Sequence, residues 1–278
     1  MIKIKRKFIV KSIIYIVTVI VVVIFLVPIL WVFLGGIRDP VELFNYPPHI
    51  WGKFTLKNFL YAFSGEVMLQ NYLRNSAIYA ILSTFISLLV GLPAGYAMAR
   101  SRIKFTSIFT YTILVIRAIP PISLIVPMYL IFNMIGLIGT YPAVIIAYIA
   151  LHIPFVVWMM RGFFLEIDQE LIDASYIDGC SKFSTFYRIA LPLSLPGIVV
   201  IAIFCLMGSW NELMYALILT NKDTCSVPVF IGSFYTDTNI SYGMLYASST
   251  IALTPLFALT FFLQRYIVRG LAFGGIKE

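Results

Sequence analysis

Four polar side chains, Arg117, Asn211, Glu212 and Tyr215, lie inside long apolar runs. A charge in hydrocarbon is expensive, so Arg117 and Glu212 should each face a cavity or a counter-charge. Gly208, Asn211, Glu212 and Tyr215 recur at helical spacing, which puts them on one face of a continuous helix. Such a face suits a path for a polyhydroxylated solute, with polar partners for hydroxyls and a ring for sugar faces. Equally, small and polar residues hold transmembrane helices together. The depths of Arg117 and Glu212 in their runs differ by roughly 6 Å, so an ion pair locking two helices is the other expectation. Covalent or metal chemistry has little support. His49 and His152 are the only histidines, and Cys180, Cys205 and Cys225 are irregularly spaced, so neither a disulfide framework nor a metal site is expected. The acidic residues are few and scattered, and no catalytic residue is expected. No Gly-x-x-x-x-Gly-Lys-Ser/Thr loop occurs, so the chain is expected to bind no nucleotide or other cofactor itself.

The elements that must position these residues follow from composition. Of 278 residues, 61% are hydrophobic and 12% charged, too apolar for a soluble domain. The net charge of +8 does not point to nucleic acid, because the basic residues lie at the ends of apolar runs rather than in a patch interleaved with aromatics. The chain therefore reads as all-α and integral to a membrane, one transmembrane domain over 1–278 with lipid as its solvent. Six spans are predicted, approximately 12–36, 72–99, 106–134, 140–162, 197–220 and 244–268. The first follows a basic start but is long enough to cross a bilayer, so it reads as a retained span rather than a cleaved signal. Pro120 and Pro121 should break the third span beside Arg117. With both termini cytoplasmic, fourteen basic residues fall on the inner side and five on the outer, which predicts an N-in/C-in topology.

Between the fourth and fifth spans lies a polar insert, 166–195, that reads as helix, turn, helix. Asp168 is placed to cap the first helix, and Leu171, Ala174 and Ile177 recur at intervals of three. Gly179 can take the left-handed conformation that ends a helix. Ser181 can cap the second helix, along which Phe183, Phe186 and Tyr187 recur. The insert is either an ordinary surface loop or a docking element whose aromatic face enters a partner's groove.

The run Asp173-Ala174-Ser175-Tyr176-Ile177-Asp178-Gly179, followed by Leu191-Pro192-Leu193 and Pro196, resembles the EAA loop of ATP-binding-cassette (ABC) importer permeases. Asp173 stands for the usual Glu, Ser175 for the second Ala, and Cys180 for the Ala after Asp-Gly. Further stretches are similar to the smaller permease subunit of the carbohydrate branch. These are Asn71 to Ser76, Pro127 to Leu130, Gly136 to Tyr141, Trp210-Asn211-Glu212, and the tail Gln264 to Gly270 with Gly274 to Lys277. The resemblance implies an alternating-access importer in a bacterial or archaeal inner membrane. Its coupling loop, with Asp173, Ala174, Ser175, Asp178, Gly179, Phe183 and Phe186, would dock on a cytoplasmic ATPase dimer that holds the ATP and Mg. It also implies a second permease subunit, a different chain, and an external solute-binding protein. The cargo it implies is a sugar or oligosaccharide, and Arg117 narrows this to the expectation of a uronate-bearing one. The alternatives are a non-sugar solute on the same kind of importer, or a secondary transporter, for which the paired inverted repeats are missing.

Overall fold

In hydrocarbon backbone amides find partners only within helices or closed barrels, and runs this long and uniformly apolar are helices rather than barrel strands. The computed structural model describes residues 2–39, 52–64, 68–101, 106–234 and 242–273, and these are helices and turns apart from one isolated bridge between Arg38 and Phe54. The helices are α1 (Ile2–Gly36), α2 (Lys57–Phe63), α3 (Leu69–Arg100), α4 (Thr106–Ala118), α5 (Pro121–Met134), α6 (Tyr141–Leu165), α7 (Gln169–Ile177), α8 (Lys182–Leu193), α9 (Leu195–Asn211), α10 (Met214–Leu219), α11 (Val227–Gly232) and α12 (Tyr242–Phe273). Of these, α1, α3, α6 and α12 are each long and apolar enough to cross a membrane.

The other two predicted spans are interrupted. The third is α4 and α5 meeting at 89°. Pro120 is extended (φ −57°, ψ 128°) and Pro121 opens α5, as expected where a proline excludes helical geometry from the residue before it. The fifth departs from the predicted continuous helix over 197–220. Here α9 stops at Asn211, Glu212 is extended (φ −72°, ψ 123°), and α10 starts at Met214. Gly208, Asn211, Glu212 and Tyr215 therefore do not share one helical face. A second bend, of 77°, joins α8 to α9 at Ser194.

Two compact units emerge. In the first, Met1–Leu69 with Ile231–Thr254, α1 exposes its apolar side chains along most of its length. Its end is tied down by Asn58, which donates to the carbonyls of Gly36 and Arg38 at 3.1 and 3.2 Å.

In the second, Gln70–Phe230 with Pro255–Glu278, α3 and α6 pack at close range. A Cβ on Gly91 would lie 2.5 Å from Val156, and one on Gly95 would lie 3.1 Å from Met160. Gly91 and Gly95 are four residues apart, the small-residue spacing that lets transmembrane helices approach. Two apolar clusters lie along these helices. One gathers Tyr79, Phe132, Tyr148, Tyr215 and Leu219, and the other gathers Tyr96, Met160, Phe164, Phe186 and Cys205.

Candidate functional site

Between those clusters along α6, the chain places its polar residues around a cavity of about 300 Å³. Arg117, Tyr148, His152, Ser209 and Glu212 supply its polar lining, with Ile119, Leu124 and Leu151 among the apolar walls. The two breaks build it: Arg117 lies in the last turn of α4 beside the Pro120–Pro121 bend, and Glu212 occupies the gap between α9 and α10. Tyr215 crosses from one broken span to the other, its hydroxyl donating to the Pro121 carbonyl at 2.9 Å. That carbonyl lies in the first turn of α5.

Glu212 acts first on its own chain. Its carboxylate accepts from the Tyr215 amide at 3.0 and 3.1 Å and from the Ala216 amide at 3.2 Å. This is how an acidic side chain satisfies the orphan amides at a helix start, where negative charge is favoured. Arg117 is exposed, with its guanidinium 4.5 Å from the centre of the Phe155 ring. Both residues line the cavity, but Arg117 engages the ring and Glu212 engages α10. Asn211 turns back on its own helix, donating to the Met207 carbonyl at 2.9 Å. Tyr215 is buried, at 1% exposure. Of the four predicted path residues, the structure brings Arg117 and Glu212 to the cavity wall, while Asn211 and Tyr215 are not among its lining.

Three polar contributors to the lining, Tyr148, His152 and Ser209, were not predicted from the sequence. His152 Nε2 lies 2.7 Å from Ser209 Oγ, and Ser209 Oγ lies 2.8 Å from Ser83 Oγ on α3. The signal was available as serines and a histidine in apolar runs, but their meeting depends on which helices pack. The site can offer a cation, a carboxylate, an imidazole and hydroxyls against apolar walls. Among the described residues no group of His, Cys, Asp or Glu could hold a metal.

The insert folds as a helical hairpin. Asp168 occupies the cap position of α7 without a capping hydrogen bond from its side chain. Gly179 takes φ +84°, and the amides of Asp178, Gly179 and Cys180 bond back to Ala174, Tyr176 and Ser175. Ser181 caps α8 by accepting from the Ser184 amide at 3.2 Å. Asp173, Ala174, Asp178, Gly179 and Phe183 are exposed. Ser175 and Phe186 are not. Ser175 bonds the Thr185 hydroxyl at 2.9 Å inside the hairpin, and Phe186, 5% exposed, packs 5.1 Å from Tyr96. The helix continues through a π-helical turn over Phe186–Ala190. Phe186 points inward, while Phe183 (71% exposed) and Tyr187 pair outside at 4.8 Å.

At the other end of α3, Asn75 donates to the carbonyls of Asp223 and Cys225 at 2.9 and 3.0 Å. The Tyr79 hydroxyl donates to Thr224 at 2.6 Å. Burial pushes the Cys225 thiol up from its ordinary value. The predicted tail motif Gly274 to Lys277 and His49 lie outside the described residues.

Residues 91–273 match the family described as binding-protein-dependent transport system inner membrane component. A probable ABC transporter permease of Sinorhizobium fredii, y4oR, is 36% identical over 255 residues, 91% of each chain. The arabinooligosaccharides transport system permease AraQ of Halalkalibacterium halodurans is 32% identical, covering 90% of each chain. The trehalose/maltose transport system permease MalG of Thermococcus litoralis is 30% identical over 98% of this chain and 99% of its own. Among solved structures, a bacterial ABC transporter involved in import of the acidic polysaccharide alginate superposes with a TM-score of 0.73 at 18% identity, over 92% of this chain and 96% of that one. This last likeness bears on the fold. With multiple apolar helices, a described fold shared with such transporters and a family match over most of its length, the chain belongs to the binding-protein-dependent transport system inner membrane components, multi-pass cell-membrane permease subunits of ABC transporters.

Proposed function

We propose that this chain is the pore-forming subunit of an importer that moves a sugar or oligosaccharide inward by alternating access. The observation that carries the coupling half of this reading is the exposed apolar edge of the hairpin. Ile177 (87% exposed), Phe183 and Tyr187 stand on a hairpin closed internally by the Ser175–Thr185 bond and anchored through Phe186 against Tyr96. Exposed apolar anchors on a rigid helix are what a partner's groove would take. The partner is a cytoplasmic ATPase dimer holding ATP and Mg, and hydrolysis belongs to it. Asp173, Ala174, Asp178, Gly179 and Phe183 form the docking side, Ser175 keeps its shape from within, and Phe186 anchors it to the buried aromatic cluster. Both termini and the hairpin lie on the cytoplasmic side, as the basic residues indicate. A second, different permease subunit and an external solute-binding protein complete the complex.

The sugar assignment is supported by relatives named for arabinooligosaccharide, trehalose and maltose transport. Arg117 on the cavity wall supports a carboxylate-bearing sugar, with Glu212 beside it engaged in capping. Two experiments test these parts separately. Ile177→Asp with Phe183→Asp should abolish co-purification of the ATPase while the permease stays in the membrane, and undiminished co-purification would refute the docking side. Arg117→Ala should lower uptake of uronate oligosaccharides more than uptake of neutral ones. Equal uptake of both, unchanged from wild type, would remove the acidic cargo.

A further inference from the structure

The helix α3 is bonded to other elements at three places along its length. At one end are Asn75 and Tyr79, bonded to the 223–225 loop. In the middle is Ser83, bonded to Ser209 at the cavity. At the other end is Arg100, which spans to the hairpin. Asn75 and Arg100 are 25 residues apart on one helix, roughly 37 Å at 1.5 Å per residue, more than the ~30 Å thickness of a bilayer core.

Arg100 makes the junction with three hydrogen bonds. Nη2 donates at 2.7 Å to both the Phe164 and Ile167 carbonyls, and Nη1 donates at 2.8 Å to Gln169 Oε1. Phe164 is in the last turn of α6, where carbonyls lack helical partners and a cation is favoured. Gln169 opens α7 and passes the contact on, its Nε2 donating to Asp173 Oδ1 at 2.9 Å. The planar guanidinium can hold all three acceptors at once, which an ammonium on a flexible stem cannot do with the same rigidity. One turn earlier, Tyr96 packs 5.4 Å from Phe164 and 5.1 Å from Phe186, so the junction is backed by the buried aromatic cluster.

We propose that Arg100 is a positioning residue for coupling. It clamps the root of the hairpin to α3, so that movement of the hairpin is delivered along α3 to Ser83 at the cavity and to the loop at the far end. This rests on the hairpin being the ATPase docking element.

The test uses the assembled complex of permeases, ATPase and cargo-loaded binding protein in proteoliposomes, reading cargo moved per ATP hydrolysed. Arg100→Ala should lower that ratio about tenfold while the ATPase still co-purifies and its KM for ATP is unchanged. Arg100→Lys should recover part of the ratio. Gln169→Ala, at an exposed position and missing one of the three contacts, should lower it about threefold. If Arg100→Ala does not assemble, the Lys and Gln169 variants decide alone. A ratio equal to wild type in the assembled variants, with transport and hydrolysis falling together, would overturn the proposal by reducing Arg100 to a structural brace. Failure of the docking reading is distinguishable in the same preparations. In that case the complex with Arg100 unchanged but carrying Ile177→Asp and Phe183→Asp would keep its ATPase, whatever the Arg100 variants show.

Discussion

At Glu212 the carboxylate takes the amides of Tyr215 and Ala216, and with them the start of α10. The extended backbone at Glu212 leaves those amides without helical acceptors, so the side chain supplies what the break removes. A lost cap of this kind costs about 1 kcal/mol. Glu212→Ala should therefore lower thermal stability of the purified complex by roughly that amount, and Glu212→Gln, which keeps an acceptor oxygen, should lower it less. An Ala variant as stable as wild type but defective in uptake would instead assign the carboxylate to cargo. Arg117 differs because its partner is a ring face, 4.5 Å away, which leaves its donors free to turn towards the cavity.

At the scale of elements, the close approach of α3 and α6 rests on Gly91 and Gly95. A side chain on Gly91 would meet Val156 at 2.5 Å, inside any normal contact. Gly91→Val should destabilise by about 1–3 kcal/mol through overpacking, read as a lower unfolding midpoint in detergent, and Val156→Ala in the same chain should relieve part of the loss. No loss in the single variant would mean that the helices can part without cost. The hairpin was legible in the sequence because its signals are local: Gly179, the Ser181 cap and the threefold apolar spacing act within one or two turns. The break in the fifth span was not legible. Apolar runs lie on both sides of the Asn211–Glu212 pair, and a helix can carry a glutamate on its surface as readily as end at one. Only the amides of Tyr215 and Ala216 turning to its carboxylate reveal the stop. Phe186 was read with Phe183 because they are three residues apart, but Phe186 packs into the core with Tyr96 and Phe164 while Phe183 stays outside.

Over the whole molecule, the family and the apolar architecture were visible from composition and from the motifs around Asp173 to Gly179. The membrane cavity was visible only in part. Arg117 and Glu212 announce themselves as charges in apolar runs, while His152, Ser209 and Ser83 meet only because α3, α6 and α9 pack. In the proposed mechanism α3 joins this cavity to the hairpin, and the hairpin conveys the state of a bound ATPase. Gly179 is the residue on which the hairpin turns. At φ +84° a β-branched residue is strained by about 1–3 kcal/mol, although there is open space beside it. The most direct measurement is ATP hydrolysis and cargo uptake by the reconstituted complex carrying Gly179→Val, beside wild type. The expected variant still reaches the membrane, but its partner's hydrolysis is no longer stimulated by cargo-loaded binding protein and no longer drives uptake. Stimulation and uptake at wild-type levels in that variant would contradict the proposed mechanism.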